Sequence, residues 1–239
     1  IGNRVRIFPL TVINPTMGVT IEDEVGIGGY SLIFTHGVWQ SVLQGYPVQY
    51  GSVAIRKGAW LPWKVFVLPG VTIGEGATIG AGSLVTSDVP PRSLAFGVPS
   101  RVAKSGDDYP KFLSLEEKEN ILASIFKDYA EYASYKGRRV RFEARGDRLA
   151  LVVGYPDRPE ALIKYLRPTD DINSQPAGLI VPVYLSRIDT DCRRRLEERS
   201  MAWIDLHDET RSNRTSSIIE EFADFLFRYG IRAKKVEEL

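Results

Sequence analysis

The stretch IRKGAWLPWKVFVLPGVTIGEGATIGAGSLV, residues 55–85, divides into sixes as IRKGAW, LPWKVF, VLPGVT, IGEGAT and IGAGSL, followed by Val85. An aliphatic residue opens every block, and a small or β-branched residue holds the fifth place in each. An amphipathic helix repeats near 3.6 residues and a half-buried strand near 2, so neither period accounts for the pattern. A sustained period of six instead predicts a parallel β-helix, in which each block is one short strand and a turn. Inward aliphatic side chains then stack from coil to coil into one continuous core. Gly58, Gly70, Gly74, Gly76, Gly80 and Gly82 suit corners where a Cβ would clash or φ must be positive.

Upstream, the repeat continues in degraded form through Ile1, Ile7, Ile21, Ile27 and Ile33, with a corner or small insertion at Asn14-Pro15-Thr16-Met17-Gly18. The chain opens at Ile1 without a methionine and already in phase with a hexapeptide, so further residues are expected before it. From Phe34 to Ala54 the period vanishes for 21 residues. A loop this long inside a compact repeat is usually functional, and this one carries His36, Trp39, Tyr46, Pro47 and Tyr50. Downstream, Asp88-Val-Pro-Pro-Arg-Ser is expected to close the β-helix, and the chain to run out through Phe96 to Lys104.

These blocks, together with Val85-Thr86-Ser87-Asp88-Val89-Pro90-Pro91 and Gly97-Val98-Pro99-Ser100-Arg101-Val102, resemble the hexapeptide-repeat acyltransferases, closest to their sugar and polysaccharide O-acetyltransferase branch. The resemblance covers roughly residues 1–104. It implies a left-handed parallel β-helix with three blocks per triangular coil, a hand that runs against the usual crossover rule and is not contained in the spacing. It also implies a homotrimer, acetyl-CoA as acyl donor, and a sugar, glycan or other small hydroxyl compound as acceptor. Two departures bear on the coenzyme slot: Trp60-Leu61-Pro62-Trp63 stands where the family more often has Trp-Ile-Gly, and Val98 replaces a common Asn.

Of the two histidines, His36 lies where the repeat gives way to the long loop. By resemblance it is the general base that removes the acceptor proton for direct attack on the thioester in a ternary complex. That task needs a neutral imidazole within hydrogen-bond reach of the acceptor. A loop histidine taken by itself more often has no role; its place in the repeat is what favours this one. Asn14, Glu22, Asp23 and Glu24, on the preceding coils, are the candidates to orient it, although corner residues of this kind are commonly just solvated. The resemblance puts the coenzyme slot along Trp60, Ala81, Gly82 and Ser83, with Arg101 and Lys104 meeting its phosphates, since Arg binds them bidentately and Lys as a point charge. Ala81, Gly82 and Ser83 equally satisfy the repeat alone, and Arg101 and Lys104 equally suit solvent.

Charge texture changes near residues 105–109. Residues 1–105 carry 8 Lys and Arg against 5 Asp and Glu, with 15 glycines; residues 106–239 carry 23 against 25, with 6 glycines. Two domains follow: 1–105, the β-helix, and 106–239, a charged α/β domain of unassigned role. In the second, Ser114 to Glu117 is a capping box opening a helix to about Tyr135, with Leu115, Ile121, Leu122, Ile125, Phe126 and Tyr129 on one face. A hairpin follows, Arg139 to Glu143 and Leu149 to Val153, turning through Arg145-Gly146-Asp147. Pro159 begins a short helix to Leu166, Leu179 to Leu185 is a strand, Asp189 to Arg199 a helix, and Ala202 to Leu206 a further strand. Ser217 caps the last helix, which Gly230 ends.

A net charge of +1 offers a polyanion few counterions to release, which disfavours nucleic acid. No apolar run is long enough to span a bilayer, and the lone Cys192 suits a reducing, cytoplasmic setting. His207 alternates with Asp205 and Asp208 but has no third ligand at metal spacing, so no metal is expected. The rival to an acetyltransferase is a non-enzymatic trimeric β-helix scaffold whose C-terminal domain binds a protein partner. A weaker third reading gives that domain its own activity around Asp205 and His207.

Overall fold

The computed structural model describes residues 1–145, 148–155, 158–175, 180–214 and 216–236. The chain divides into two compact units, Ile1–Phe112 and Leu113–Leu239.

The first unit is a three-sided parallel β-helix. Its first face stacks Arg6–Ile7, Gly26–Ile27, Trp60–Leu61, Thr78–Ile79 and Leu94–Gly97. The second stacks Val12–Asn14, Leu32–Phe34, Phe66–Val67 and Leu84–Val85; the third stacks Val19–Ile21, Val53–Ile55 and Thr72–Ile73. Parallel register lines up one inward residue from each coil. The first column is Ile7, Ile27, Leu61, Ile79, Ala95; the second Ile13, Ile33, Val67, Val85; the third Ile21, Ile55, Ile73, Val89. From Ile27 to Val85 these residues, the openers of the blocks, are fully shielded from solvent.

The fourth position of each block takes a left-handed backbone, filled by Gly58, Gly70, Gly76 and Gly82 but also by Tyr30, Lys64 and Arg92. Gly74 is needed for a different reason: a Cβ there would stand 2.3 Å from the Pro91 nitrogen on the next coil. The β-helix does not close at Asp88. The Asp88 carboxylate accepts from Thr72 N at 2.7 Å, Val89 bridges to Ile73, and Leu94–Gly97 pairs with Thr78–Ile79 as one more rung. The shortened corner at residues 86–88 shifts the phase, so Val89 and Ala95 keep the period without matching the earlier count. The strand Ser100–Lys104 then returns antiparallel.

In the second unit, seven described strands form one mixed sheet in chain order: Arg139–Arg145, Arg148–Tyr155, Arg158–Tyr165, Ile180–Tyr184, Ile204–Asp205, Thr210–Arg211 and Lys234–Lys235. Helices α1 (Leu115–Tyr135) and α3 (Ser217–Leu226) share a core in which Tyr129 meets Phe222 and Phe225 edge-on at 5.0 and 5.2 Å. Helix α2 (Thr190–Glu198) joins a separate cluster with Tyr184, Met201 and Trp203.

Several expectations are corrected here. The segment after Pro159 is a strand, not a helix: Ala161, Ile163 and Tyr165 are buried in alternation, a period of two that overrides the helix-starting signal of a proline. Leu115 and Ile121 are about half exposed, because the packed stripe of α1 runs through Leu122, Ile125, Phe126, Tyr129 and Ala133. Ile121 is rotated about 100° from Leu122, and Leu115 lies in the overhanging first turn. The hydroxyl capping α3 is that of Ser216, which accepts from Ile219 N, because Ser217 is already helical. The strand expected over Ala202 to Leu206 is confined to Ile204–Asp205. Gly146 and Asp147 of the expected turn, and Leu179 of the expected strand, lie outside the described residues.

One ion pair has a defined pH signature. Arg211, nearly buried, donates two parallel bonds of 2.9 and 2.7 Å to Glu220, and Lys235 adds a third contact at 3.2 Å. The Arg211 hydrogen bonds hold the Glu220 carboxyl below its ordinary range. A depressed carboxyl contributes stability above the unfolded-state value near 4.3 and loses it as pH falls through the folded value. Since Glu220 is more than a third exposed, Glu220→Gln is expected to cost no more than about 1 kcal/mol at pH 7. The deficit should shrink toward zero on acidification, as read by paired thermal melts at pH 7 and pH 3.5.

Candidate functional site

The second coil leaves the β-helix at Thr35, whose position is fixed from three sides. Its buried hydroxyl donates to Asn14 O at 2.8 Å and accepts from Met17 N at 3.0 Å, while its carbonyl accepts from Gly51 N at 3.0 Å. The Gly51 carbonyl in turn accepts from Gly70 N at 3.2 Å. Between Thr35 and Gly51 the chain makes a hairpin of His36–Gly37 against Gln49–Tyr50. Its tip holds a short turn at Val42–Gln44, capped by Ser41. Trp39 and Leu43 project almost completely into solvent.

His36 therefore sits at the root of this hairpin, at the corner between the second and third faces. It lies opposite Tyr50, with the two rings stacked at 6.2 Å between centroids and 19° between planes. Its Nδ1 is buried and, among the described residues, without a hydrogen-bond partner, while the residue as a whole is only half-buried. None of the four candidates expected to orient it does so. The Asn14 side chain accepts from the Thr16 hydroxyl at 2.7 Å, Glu22 is bound to Arg56 and Lys57 N, Asp23 to Asn3, and Glu24 to Arg4. The Arg56 hydrogen bond, followed by that from Lys57 N, holds the Glu22 carboxyl below its usual range. The three carboxylates tie adjacent coils together at the corner between the third and first faces, whereas the Asn14 amide bonds within its own coil, beside the Thr35 corner.

The residues assigned to the coenzyme slot fall around the first face. Trp60 stands against Gly26, where a Cβ would approach Cε3 of its ring to 2.5 Å. Ala81 and Gly82 are exposed at the corner joining the first and second faces. Arg101 and Lys104 are exposed on the return strand paired with Leu94–Gly97. Ser83 is different: its hydroxyl is buried and accepts from Gly97 N at 3.1 Å, so its side chain serves the interior and cannot line an outer slot. Ser83 is the fifth residue of its block, a position the structure buries in every block from Ala59 to Ser83. Within one chain the second face separates His36 from this group. Tyr50 was visible as one of several loop aromatics, but its pairing with His36 depends on a hairpin register that the loop's composition does not specify.

In the second unit, Asp205 is fully buried and accepts from the backbone N–H groups of Ile188, His207 and Asp208, with Arg193 at 3.4 Å. Asp208 is held below the usual carboxyl range by the His207 hydrogen bond at 3.0 Å, with Arg187 adding to the effect. Asp205 organises the turn after its strand, and its acceptor capacity is spent there. Among the described residues no group of three His, Cys, Asp or Glu is arranged to hold a metal ion, and no helix is long and apolar enough to cross a membrane.

No family model matches the chain. The galactoside O-acetyltransferase of Escherichia coli is 38% identical over 106 residues, which is 44% of this chain and 52% of that protein. A Staphylococcus aureus protein with a provisional acetyltransferase name is 51% identical over 65 residues, 27% of this chain and 32% of its own length. Among solved structures, a maltose O-acetyltransferase from Clostridium difficile aligns at 31% identity and a TM-score of 0.40, covering 44% of this chain and 57% of that one. A hexapeptide-repeat acetyltransferase of Vibrio cholerae, complexed with acetyl-coenzyme A, aligns at 29% identity and 0.40, over 44% and 58%. The chain thus spans about a third to a half of the curated relatives quoted. In the period of its coils and in these identities, it is similar to the hexapeptide-repeat acetyltransferases.

Proposed function

We propose that this chain is an acetyl-CoA-dependent O-acetyltransferase acting on a hydroxyl of a sugar, glycan or similar small acceptor. The observation that carries the reading is His36: a half-buried imidazole at the root of a projecting hairpin, with Nδ1 enclosed. Its Nε2 takes the acceptor hydroxyl proton as the oxygen attacks the thioester carbonyl. The tetrahedral oxyanion then collapses, the C–S bond breaks, and the imidazolium returns the proton to the departing thiolate. Arg101 and Lys104 supply cations for the coenzyme phosphates, and Trp60, Ala81 and Gly82 the wall along which it lies.

The same reading includes a left-handed coil and a homotrimer. His36 and the coenzyme residues occupy different corners of one β-helix, and a second copy packed against it would bring one set to the other across a cyclic interface. Its second face supports such packing, since its outer side carries the half-buried Leu32, Phe34, Phe66, Leu68 and Leu84. The 113–239 unit is then an appended interaction module, and the single buried Cys192 suits a cytoplasmic setting. The experiment is a screen of nucleotide sugars, oligosaccharides and amino sugars for acceptor-dependent release of coenzyme A. Acceptor-dependent release supports the proposal. No release with any acceptor, together with no acetyl-CoA binding by calorimetry at millimolar concentration, would favour the scaffold alternative.

A further inference from the structure

General bases of this kind are normally held by a third group that fixes the ring and offsets its charge once protonated. Among the described residues His36 has no such group: Nδ1 has no partner, and the carboxylates and amide on the preceding coils are engaged elsewhere. What it does have is an aromatic neighbour. Tyr50 faces it across the hairpin pair, nearly parallel, at a separation within the range of stacked rings. The Tyr50 hydroxyl makes no hydrogen bond to the imidazole, so the ring is what His36 meets.

We propose that Tyr50 is the positioning residue for His36, standing where a carboxylate orienter would otherwise be. The assignment rests on the acetyltransferase reading above and adds to it a named partner for the base. Two physical effects follow from the stack. The ring removes rotational freedom from an imidazole that otherwise has one buried nitrogen and no hydrogen bond to hold it. Its electron-rich face also attracts the imidazolium formed when Nε2 takes the acceptor proton, as aromatic faces attract other cations. Both effects belong to the ring and not to the hydroxyl. The hairpin is anchored well enough to maintain the stack, because Gln49 donates to Pro69 O at 3.3 Å next to the Gly51 bridge. About half of Tyr50 is exposed, so replacing it leaves the β-helix core untouched.

The test uses the full chain with an acceptor that the wild type acetylates. Tyr50→Ala is expected to lower kcat about tenfold with KM for acetyl-CoA unchanged, and Tyr50→Phe to stay within about twofold of wild type. An activity-independent readout comes from imidazole NMR in a His207→Ala background, which leaves His36 as the one histidine of the two. Its ring protons should be shifted upfield by the neighbouring ring in wild type and Tyr50→Phe, and lose that shift in Tyr50→Ala. Equal kcat in Tyr50→Ala and wild type would overturn the proposal, as would a Tyr50→Phe variant as slow as Tyr50→Ala, or ring protons indifferent to Tyr50→Ala. Absence of transfer by the wild type itself overturns the acetyltransferase reading and the role of Tyr50 with it. That outcome differs visibly from one in which wild type and Tyr50→Ala are equally active.

Discussion

His36→Ala is expected to reduce acetyl transfer by about a hundredfold or more, the range that a positioned general base supplies, while leaving acetyl-CoA affinity unchanged. The split follows from the geometry. The imidazole stands at the corner between the second and third faces, whereas Trp60, Ala81, Gly82, Arg101 and Lys104 surround the first. On the proposed reading, removing the ring takes away the proton acceptor and none of the residues proposed to hold the coenzyme. Because Nδ1 is already without a partner, the substitution also breaks no hydrogen bond and should leave the melting temperature within a degree or two. Initial rates with saturating acceptor, beside calorimetric titration with acetyl-CoA, check both halves. Undiminished turnover would remove His36 from the chemistry, and lost coenzyme binding would move it into the donor site.

Leu61→Ala is expected to destabilise the β-helix by about 3–4 kcal/mol, in the upper part of the range for large-to-small core substitutions. Leu61 is fully buried between Ile27 and Ile79 in the first inward column. In a globular core, neighbours can lean into the space that a lost side chain leaves. Here the residues above and below are fixed by the hydrogen-bonded rungs that carry them, Gly26–Ile27 and Thr78–Ile79, and each coil contacts only its neighbours. The cavity therefore stays open. A urea titration followed by tryptophan fluorescence reads the change, with Trp60 beside the substituted position as reporter. A loss below about 1 kcal/mol would mean that the column relaxes more freely than its register allows.

Much of the β-helix was legible because its signal is redundant. Ile55, Leu61, Val67, Ile73, Ile79 and Val85 each repeat one statement about which side chain turns inward, and each is buried. The signal failed where the phase slipped. Val89 and Ala95 continue the inward columns, but two prolines and a short corner hid them. Site residues were less legible for a related reason. Ser83 obeys the repeat by pointing in, and that disqualifies it as a slot residue. Glu22, Asp23 and Glu24 look like free acids in the sequence but are consumed by Arg56, Asn3 and Arg4 on other coils, pairings that depend on how the coils stack. In the second unit, Pro159 gave a local cue for a helix start, whereas strands on both sides decided the outcome. A cue that belongs to one residue yields to partners that lie far along the chain.

The bond from Gly51 N to Thr35 O closes the hairpin at its base, so the winding resumes at Val53 as though the intervening residues were absent. Whatever is threaded between those two clasps adds no step to the coil count and shifts no column. The scaffold can thus keep its geometry while the segment beside the imidazole is lengthened, shortened or exchanged, which makes this one corner the natural place for selectivity to diverge among otherwise superimposable frames.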